Sequence, residues 1–413
     1  MPSTIDQAPA EAPGAARQGP LRDIRVIEMG QLLAGPFCGQ MLADYGAEVI
    51  KCEQPGVGDP MREWGREKPH GKSLWWPVVA RNKKSVTLNL RTPEGQAIVK
   101  SLVATSDVLI ENFRPGTLES WGLGYDVLST INPQLVMVRV TGYGQTGPYA
   151  ERAGYGAIGE AMGGMRFVVG DPSSPPSRMG ISIGDELAAV YAAMGAMAAI
   201  HARAWLGRGQ VVDSAIYEAV LAMMESLVTE YDQAGYIRER TGAILPNVSP
   251  SNVYPTNDDR MILIAANQDT VFKRLALAMG QPELAADPRY AKHSARGRAQ
   301  KELDDLIADW TRTRRLEEVE EILNAHSVPC GLIYRTPDML ADPHFQAREA
   351  IVAIPHPDFG ALRMQNVAPK FSATPGAIRH AGPALGEHND DVFRGLLKMS
   401  DATLADYAAR GII

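Results

Sequence analysis

The sequence predicts an α/β protein: a parallel sheet covered by helices on both faces, joined to a smaller second unit. Three observations carry this. From residue 24 onward short apolar strands alternate with helical runs of about 10 to 15 residues, the mark of repeated strand–helix–strand units. A chain of 413 residues, 45% hydrophobic, is longer than one core usually serves, so two domains are expected. A turn-rich stretch, "TGAILPNVSPSNVYPTNDD", then separates this alternation from a fresh series of strands and helices.

In order, "IRVIE" reads as a first strand, "PFCGQMLADYG" as a helix that Gly46 stops, and "AEVIKCE" as a second strand. "SVTLNL" follows as a strand. Thr92, Pro93 and Glu94 then form a start signal for the helix "TPEGQAIVKSLVATS". "VLIE" and "LVMVRV" are further strands. After an Ala-rich helix, "GRGQVVDSAIYEAVLAMMESLVTEYDQAGYIRER" reads as a short strand and a long amphipathic helix. The second unit begins at the strand "RMILIAA", with helices around "TVFKRLALAMG", "AQKELDDLIADW" and "LEEVEEILNAH" and the strand "PCGLIY". Short strands including "APKF" and a helical C-terminus close the chain.

Composition narrows the function. A formal charge of −7 offers no basic field for nucleic acid, which points to a small ligand. Cys38, Cys52 and Cys330 are scattered without C-x-x-C spacing, so neither a disulfide framework nor a metal site is expected, and a reducing cytoplasm fits. Met1 to Pro20 reads as a disordered tail with no signal-peptide pattern. The run from Leu187 to Ile200 is only fourteen residues, short of the roughly 20 that span a bilayer. It is expected to be a buried, tightly packed helix, and no membrane is implied.

"GYGQTG", Gly142 to Gly147, satisfies G-x-G-x-x-G after a strand, but Gly154 and Gly156 break the sequence where a helix must open, which weakens an NAD-type reading. "RNKKS" and "ENFRPG" place Arg and Lys beside predicted strands: either a solvated face or, at the crevice of the sheet, a phosphate contact. Phe113 suits a nucleotide base or the core. Among eight histidines none makes H-x-x-x-H, and no G-x-S-x-G is present; His388 in "LGEH" suits a C-terminal surface or interface. Asp185 and Glu186 in "GISIGDELAAVYAAMGAMAAI" admit two readings. Asp185 caps the helix, worth about 1 kcal/mol, or it is an ionised nucleophile.

These pieces, from "GPLRDIRVIEMGQLLAGPFCGQMLADYGAEVIKCEQPGVGDPMR" through "RNKKSVTLNLRTPEG", "ENFRPG", "TGYGQTGP" and "GRGQVVD" to "VPCGLIY", "APKF" and "LGEH", resemble the class III CoA-transferases, the family of formyl-CoA transferase, carnitine CoA-transferase and the alpha-methylacyl-CoA racemases. The resemblance implies a Rossmann-like large domain with an inserted smaller α/β domain, in an interlocked homodimer. The division is then a tail over 1–20, the large domain over 21–224, the small domain over 225–335, and a linker and return to the large domain over 336–413. It also implies CoA transfer from an acyl-CoA to a free carboxylic acid through aspartyl anhydride and aspartyl-CoA intermediates, with CoA as a substrate and no cofactor or metal.

By the same resemblance Asp185 is the catalytic aspartate. CoA contacts fall on Leu33, Ala34, Leu88, Asn89, Leu90, Arg91, Asn112, Phe113, Arg114, Arg152, Ala153, Gly154 and Tyr155. Gln54 and Ser120 stand where the formyl-CoA enzyme has CoA-binding arginines, and its Gly-rich loop is replaced by "AILPNVSPSNVYP". Tyr155 stands where the racemases carry a histidine, which favours transferase over racemase. A non-catalytic CoA-binding protein is disfavoured by the intact Asp185. Asn247, Ser249 and Ser251, with Arg178, suit a second carboxylate, so succinyl-CoA is the expected donor.

Overall fold

The structure, a computed structural model, describes residues 18–413. Of the tail expected over 1–20, residues 1–17 lie outside the described residues. The described chain divides into two compact units, the first made of 18–165, Met179–Thr229 and Gln346–Ile413. In it β1 (Arg25–Glu28), β2 (Glu48–Glu53), β3 (Lys83–Thr87), β4 (Val108–Glu111), β5 (Val136–Thr141) and β6 (Val211–Ala215) pair throughout in parallel, in the order β3-β2-β1-β4-β5-β6. The strand order reverses between β1 and β4. In an open α/β sheet the crevice beyond the carboxyl ends at such a reversal is where ligands bind.

Alternate residues of each strand face opposite cores. Val26, Val108, Val136 and Val138 pack under α1 (Ala34–Asp44), while Ile27, Leu109 and Met137 pack under α2 (Pro93–Val103). The start signal for α2 is realised in full: the Thr92 hydroxyl accepts the Gly95 N–H at 3.1 Å and Pro93 opens the helix. Gly46 ends the chain's run past α1 with φ +99°, a conformation that disfavours any side chain.

The short α3 (Gly156–Met162) precedes α4 (Ile183–Leu206), and α5 (Ile216–Leu221) follows β6. The Ala-rich helix differs from expectation in length and burial. It runs 24 residues, and only one side is enclosed: Ala188, Ala189, Ala192, Ala193, Ala196 and Ala199 are buried, whereas Val190, Met194 and Met197 are exposed. Its length and composition match a membrane span, but the alanine face is built into the core with α1 and the sheet. The long amphipathic helix expected after β6 is also interrupted. Glu225 takes φ +52° between α5 and a second helix at Leu227–Ala234, and no glycine or proline announces the break.

The second unit comprises Arg166–Arg178 and Glu230–Phe345. Its antiparallel sheet, β7 (Ser251–Pro255), β8 (Met261–Ala265) and β9 (Cys330–Leu332), is covered by α6 (Asp269–Ala278), α7 (Gln300–Thr311) and α8 (Leu316–Ala325) around Phe272, Leu303 and Leu323. Back in the first unit, β10 (Ile351–His356) and β11 (Gly360–Gln365) form a hairpin, and "APKF" is not a strand. The segment that follows straps the outer edge of β3. Asn82 N–H donates to the His380 carbonyl, Thr87 N–H to Asn389 Oδ1 at 2.9 Å, and Asn89 N–H to the Ile412 carbonyl. His388 is part of this strap and half-buried: its N–H donates to the Ser85 carbonyl, its Nδ1 accepts Ser85 N–H, and burial holds its pKa below the usual histidine value.

Beneath α1, among residues of β1, the first residue of β3 and the second half of β2 with the loop that follows it, lies a buried ionic cluster. The Lys51 ammonium meets Glu28 at 2.9 Å and Asp59 at 2.7 Å; Lys83 meets Glu28 at 2.7 Å; Arg62 meets Glu53 at 2.8 Å. Three acids balance three bases. α1 rides directly on them, since a Cβ on Gly39 would fall 2.0 Å from Glu28 Oε2 and the Pro36 carbonyl accepts from Lys83 Nζ at 2.6 Å. Removing one member leaves an uncompensated buried charge. Glu28→Gln is therefore expected to cost about 3–5 kcal/mol, measured as a lowered urea midpoint.

Candidate active site

A pocket opens at the strand-order reversal, lined from the ends of β1, β4 and β5, the loop before α3 and the first turn of α4. After β1 the chain turns through Gln31 and Leu32 into α1. The Asn112 amide clamps that turn, donating to the Gln31 carbonyl and accepting its N–H, both at 2.8 Å. Glu111 in turn fixes Asn112–Arg114: its Oε2 accepts Phe113 N–H at 2.7 Å, and its Oε1 accepts Arg139 Nε at 2.6 Å. The Phe113 ring stands edge-on to Trp121 at 5.4 Å and joins the core beneath α2 while also lining the pocket.

The G-x-G-x-x-G stretch has a different use from the one its pattern suggests. Gly144 and Gly147 take φ +85° and +89° in a loop, and the next helix, α3, begins only at Gly156. Gly144 N–H donates to Thr141 Oγ1 at 3.0 Å, and Gln145 N–H to Asp213 Oδ2 at 2.8 Å. Burial pushes the Asp213 carboxyl up. Gly142 lets the loop close on itself: a Cβ there would fall 2.8 Å from Gly154 Cα. Arg152, in the closing arm, lies with its guanidinium 3.6 Å from the Tyr149 ring centroid.

Asp185 is the third residue of α4, inside the first turn, so it is not the cap; Ser182 holds that position. Its carboxylate presses against the first residue of α3. A Cβ on Gly156 would fall 2.1 Å from Oδ2, and one on Gly184 would fall 2.8 Å from the Gly156 carbonyl oxygen. Two glycines thus let the starts of α3 and α4 meet at this acid. Asp185 lines the cavity, whose volume is about 120 Å³; neighbouring Glu186 does not, and burial pushes its carboxyl up.

Of the residues marked in the sequence, the pocket brings together Leu33, Ala34, Asn112, Phe113, Arg114, Arg152, Gly154, Tyr155 and Asp185. Ala153 is not among the lining residues. Leu88, Asn89, Leu90 and Arg91 lie at the end of β3, two strands from β1; the Leu88 side chain is buried in the core and Asn89 N–H is held by Ile412. Ser249, expected near a second carboxylate, is buried in the second unit, its carbonyl taken by Arg296. Trp64, Tyr143 and Gln31 line the pocket and were not anticipated. Trp64 is presented by a single helical turn, Pro60–Glu63, which Asp59 caps. Among the described residues no cluster of His, Cys, Asp and Glu suits a metal ion.

The sequence model of CoA-transferase family III matches residues 21–389. The chain is 59% identical to the succinyl-CoA–D-citramalate CoA-transferase of Chloroflexus aurantiacus, covering 95% of this chain and 98% of that protein. It is 42% identical to the beta subunit of the succinyl-CoA–L-malate CoA-transferase of the same organism, covering 95% and 98%. A crystal structure of a CAIB/BAIF family protein from Brucella suis superposes with a TM-score of 0.81 at 33% identity, covering 92% of this chain and all of that one.

The contact between Gly156 and Asp185 makes a prediction. Gly156→Ala inserts a methyl where the carboxylate lies, and a displacement of about 1 Å costs on the order of 100-fold in rate. Any chemistry carried by Asp185 should fall by about that factor in steady-state kinetics, with the circular dichroism spectrum unchanged.

Proposed function

The chain belongs to CoA-transferase family III and is a CoA-transferase, and from that premise we propose that it carries CoA from succinyl-CoA to a second dicarboxylic acid, with Asp185 as nucleophile. The observation that carries the reading is the carboxylate of Asp185 lining the pocket at the strand-order reversal, wedged against Gly156. A carboxylate so held attacks a thioester without a general base.

An Asp185 oxygen adds to the succinyl carbonyl, the C–S bond breaks, and CoA leaves as thiolate from a succinyl–aspartyl anhydride. The thiolate then attacks the aspartyl carbonyl and releases succinate, leaving an aspartyl-CoA thioester. The acceptor carboxylate attacks that thioester, and the freed thiolate attacks the acceptor's carbonyl in the new anhydride. Acceptor-CoA departs and the Asp185 carboxylate is restored. No water is consumed and no atom changes oxidation state, so the reading calls for neither a metal nor a redox cofactor. Backbone amides at the starts of α3 and α4 suit the developing oxyanions.

For CoA itself the reading uses Leu33, Ala34, Asn112 to Arg114 and Arg152 to Tyr155 around the thioester arm, with the turn Leu88 to Arg91 for the distal part. The names of the relatives support a hydroxylated dicarboxylate of the citramalate or malate type as acceptor. Three unpaired cysteines support a cytoplasmic setting. The exposed side of α4 supports a homodimer, interlocked as the family resemblance implies: Val190, Met194, Met197 and Trp205 form a long apolar stripe, with Met194 55% and Trp205 74% exposed.

Two outcomes are expected. Asp185→Asn should lose several orders of magnitude in CoA exchange while stability changes by no more than about 1 kcal/mol, and hydroxylamine should trap a hydroxamate on the Asp185 peptide of wild-type protein incubated with succinyl-CoA. Retained exchange, or a label on another acid, would overturn the mechanism. In sedimentation velocity the protein should remain dimeric on dilution into the nanomolar range; a stable folded monomer is incompatible with interlocking.

A further inference from the structure

We propose that Asp59 is a positioning residue for acyl-CoA binding, holding Leu32 in a left-handed conformation and so setting the rim of the pocket at residues 31–34. The proposal rests on the reading of that pocket as the acyl-CoA site. Leu32 has φ +63°, a conformation that a γ-branched side chain adopts at a cost unless its surroundings enforce it. Asn112 and Lys51 hold the neighbouring Gln31 and Gly30, but the Leu32 N–H itself is held by one carboxylate. Asp59 Oδ1 accepts the Leu32 N–H at 3.0 Å and the Met61 N–H at 2.8 Å.

The same carboxylate is itself fixed. Its second oxygen meets the Lys51 ammonium at 2.7 Å, and the Asp59 N–H donates to Glu53 Oε2 at 2.9 Å. Lys51 also donates to the Gly30 carbonyl at 2.9 Å, so the two residues grip the turn after β1 on both sides of Gln31. Asp59 is almost wholly buried and lies outside the set of pocket-lining residues, which makes its action indirect. Burial opposes its charge, but Lys51 and the two backbone donors together keep the carboxyl below the usual aspartate range. Its reach covers two walls of the pocket: Leu32 to Ala34 at the start of α1, and Trp64 through the turn Pro60–Glu63 that it caps.

Asp59→Ala should raise the KM for succinyl-CoA, and the dissociation constant of free CoA measured by isothermal titration calorimetry, by about 10-fold or more, with kcat changed less than about 3-fold. Glycine takes a positive φ without support, so adding Leu32→Gly to Asp59→Ala should recover most of that loss. A variant that leaves the cluster charge-balanced guards against misfolding. Lys51→Met with Asp59→Leu retains Glu28 with Lys83 and Glu53 with Arg62, and because it lacks the acceptor for Leu32 N–H it should show the same rise in KM.

Unchanged CoA binding in a folded Asp59 variant, or no recovery on adding Leu32→Gly, would overturn the proposal. So would a fall in kcat at constant KM. Failure of the underlying site reading is separable: CoA exchange would then survive Asp185→Asn, whereas failure of the positioning proposal alone leaves the dependence on Asp185 intact.

Discussion

The Lys51 ammonium, enclosed between Glu28, Asp59 and the Gly30 carbonyl, is the interaction on which the rest of the first unit depends. A parallel sheet ends in a row of loops with no partner of their own, and at a strand-order reversal two of those loops diverge and leave a crevice. Something must give the crevice one shape. Here it is a net-neutral group of six ions whose members come from the ends of β1, β2 and β3 and from the loop after β2. Such a group contributes little stability beyond an apolar core of equal volume, because the cost of desolvating each ion offsets most of the attraction. Its effect is on uniqueness: each ion has partners in only one arrangement of the turns around it.

Legibility in the sequence followed the range of the interactions. The strands and α2 were readable because period, cap and stop signals are local, as Thr92, Pro93 and Gly46 show. Asp185 was readable as an acid misplaced at the head of an apolar run. Its neighbour Gly156 was not, since the contact joins residues 29 positions apart through the fold and a glycine shows nothing of what it makes room for. The ionic cluster leaves a trace in the sequence, though not a pattern that pairs its members. Strands buried on both faces are ordinarily near-continuous apolar runs, so Glu28, Lys51, Glu53 and Lys83 inside them were anomalies. "GYGQTG" misled in the opposite direction: a pattern defined by glycines cannot tell a phosphate cradle from a loop packed against its own return at Gly154. The break at Glu225 left no local signal at all.

One helix, α4, links three levels of the structure. Its inner alanines set how closely it can lie on the sheet, and Gly195 extends that approach, since a Cβ there would fall 2.6 Å from a methyl of Val212. Its first turn delivers Asp185 to the pocket, and its outer methionines meet the surroundings. A shift of the helix along its axis would therefore disturb core, pocket and outer surface together.

The strap along β3 has a consequence for how the protein is made. The outward-facing groups of that edge strand are satisfied by residues near 380, 388 and 389, and the turn beyond it by Ile412, the next-to-last residue of the chain. On the ribosome β3 emerges more than 300 residues earlier, and at ~5–20 residues per second its edge waits on the order of tens of seconds for its cover. During that interval the nascent sheet presents a bare template to any extended segment nearby, so the edge closes only after residues 380–389 have been made. Loss of the segment around 380–389 would leave β3 open at its outer edge.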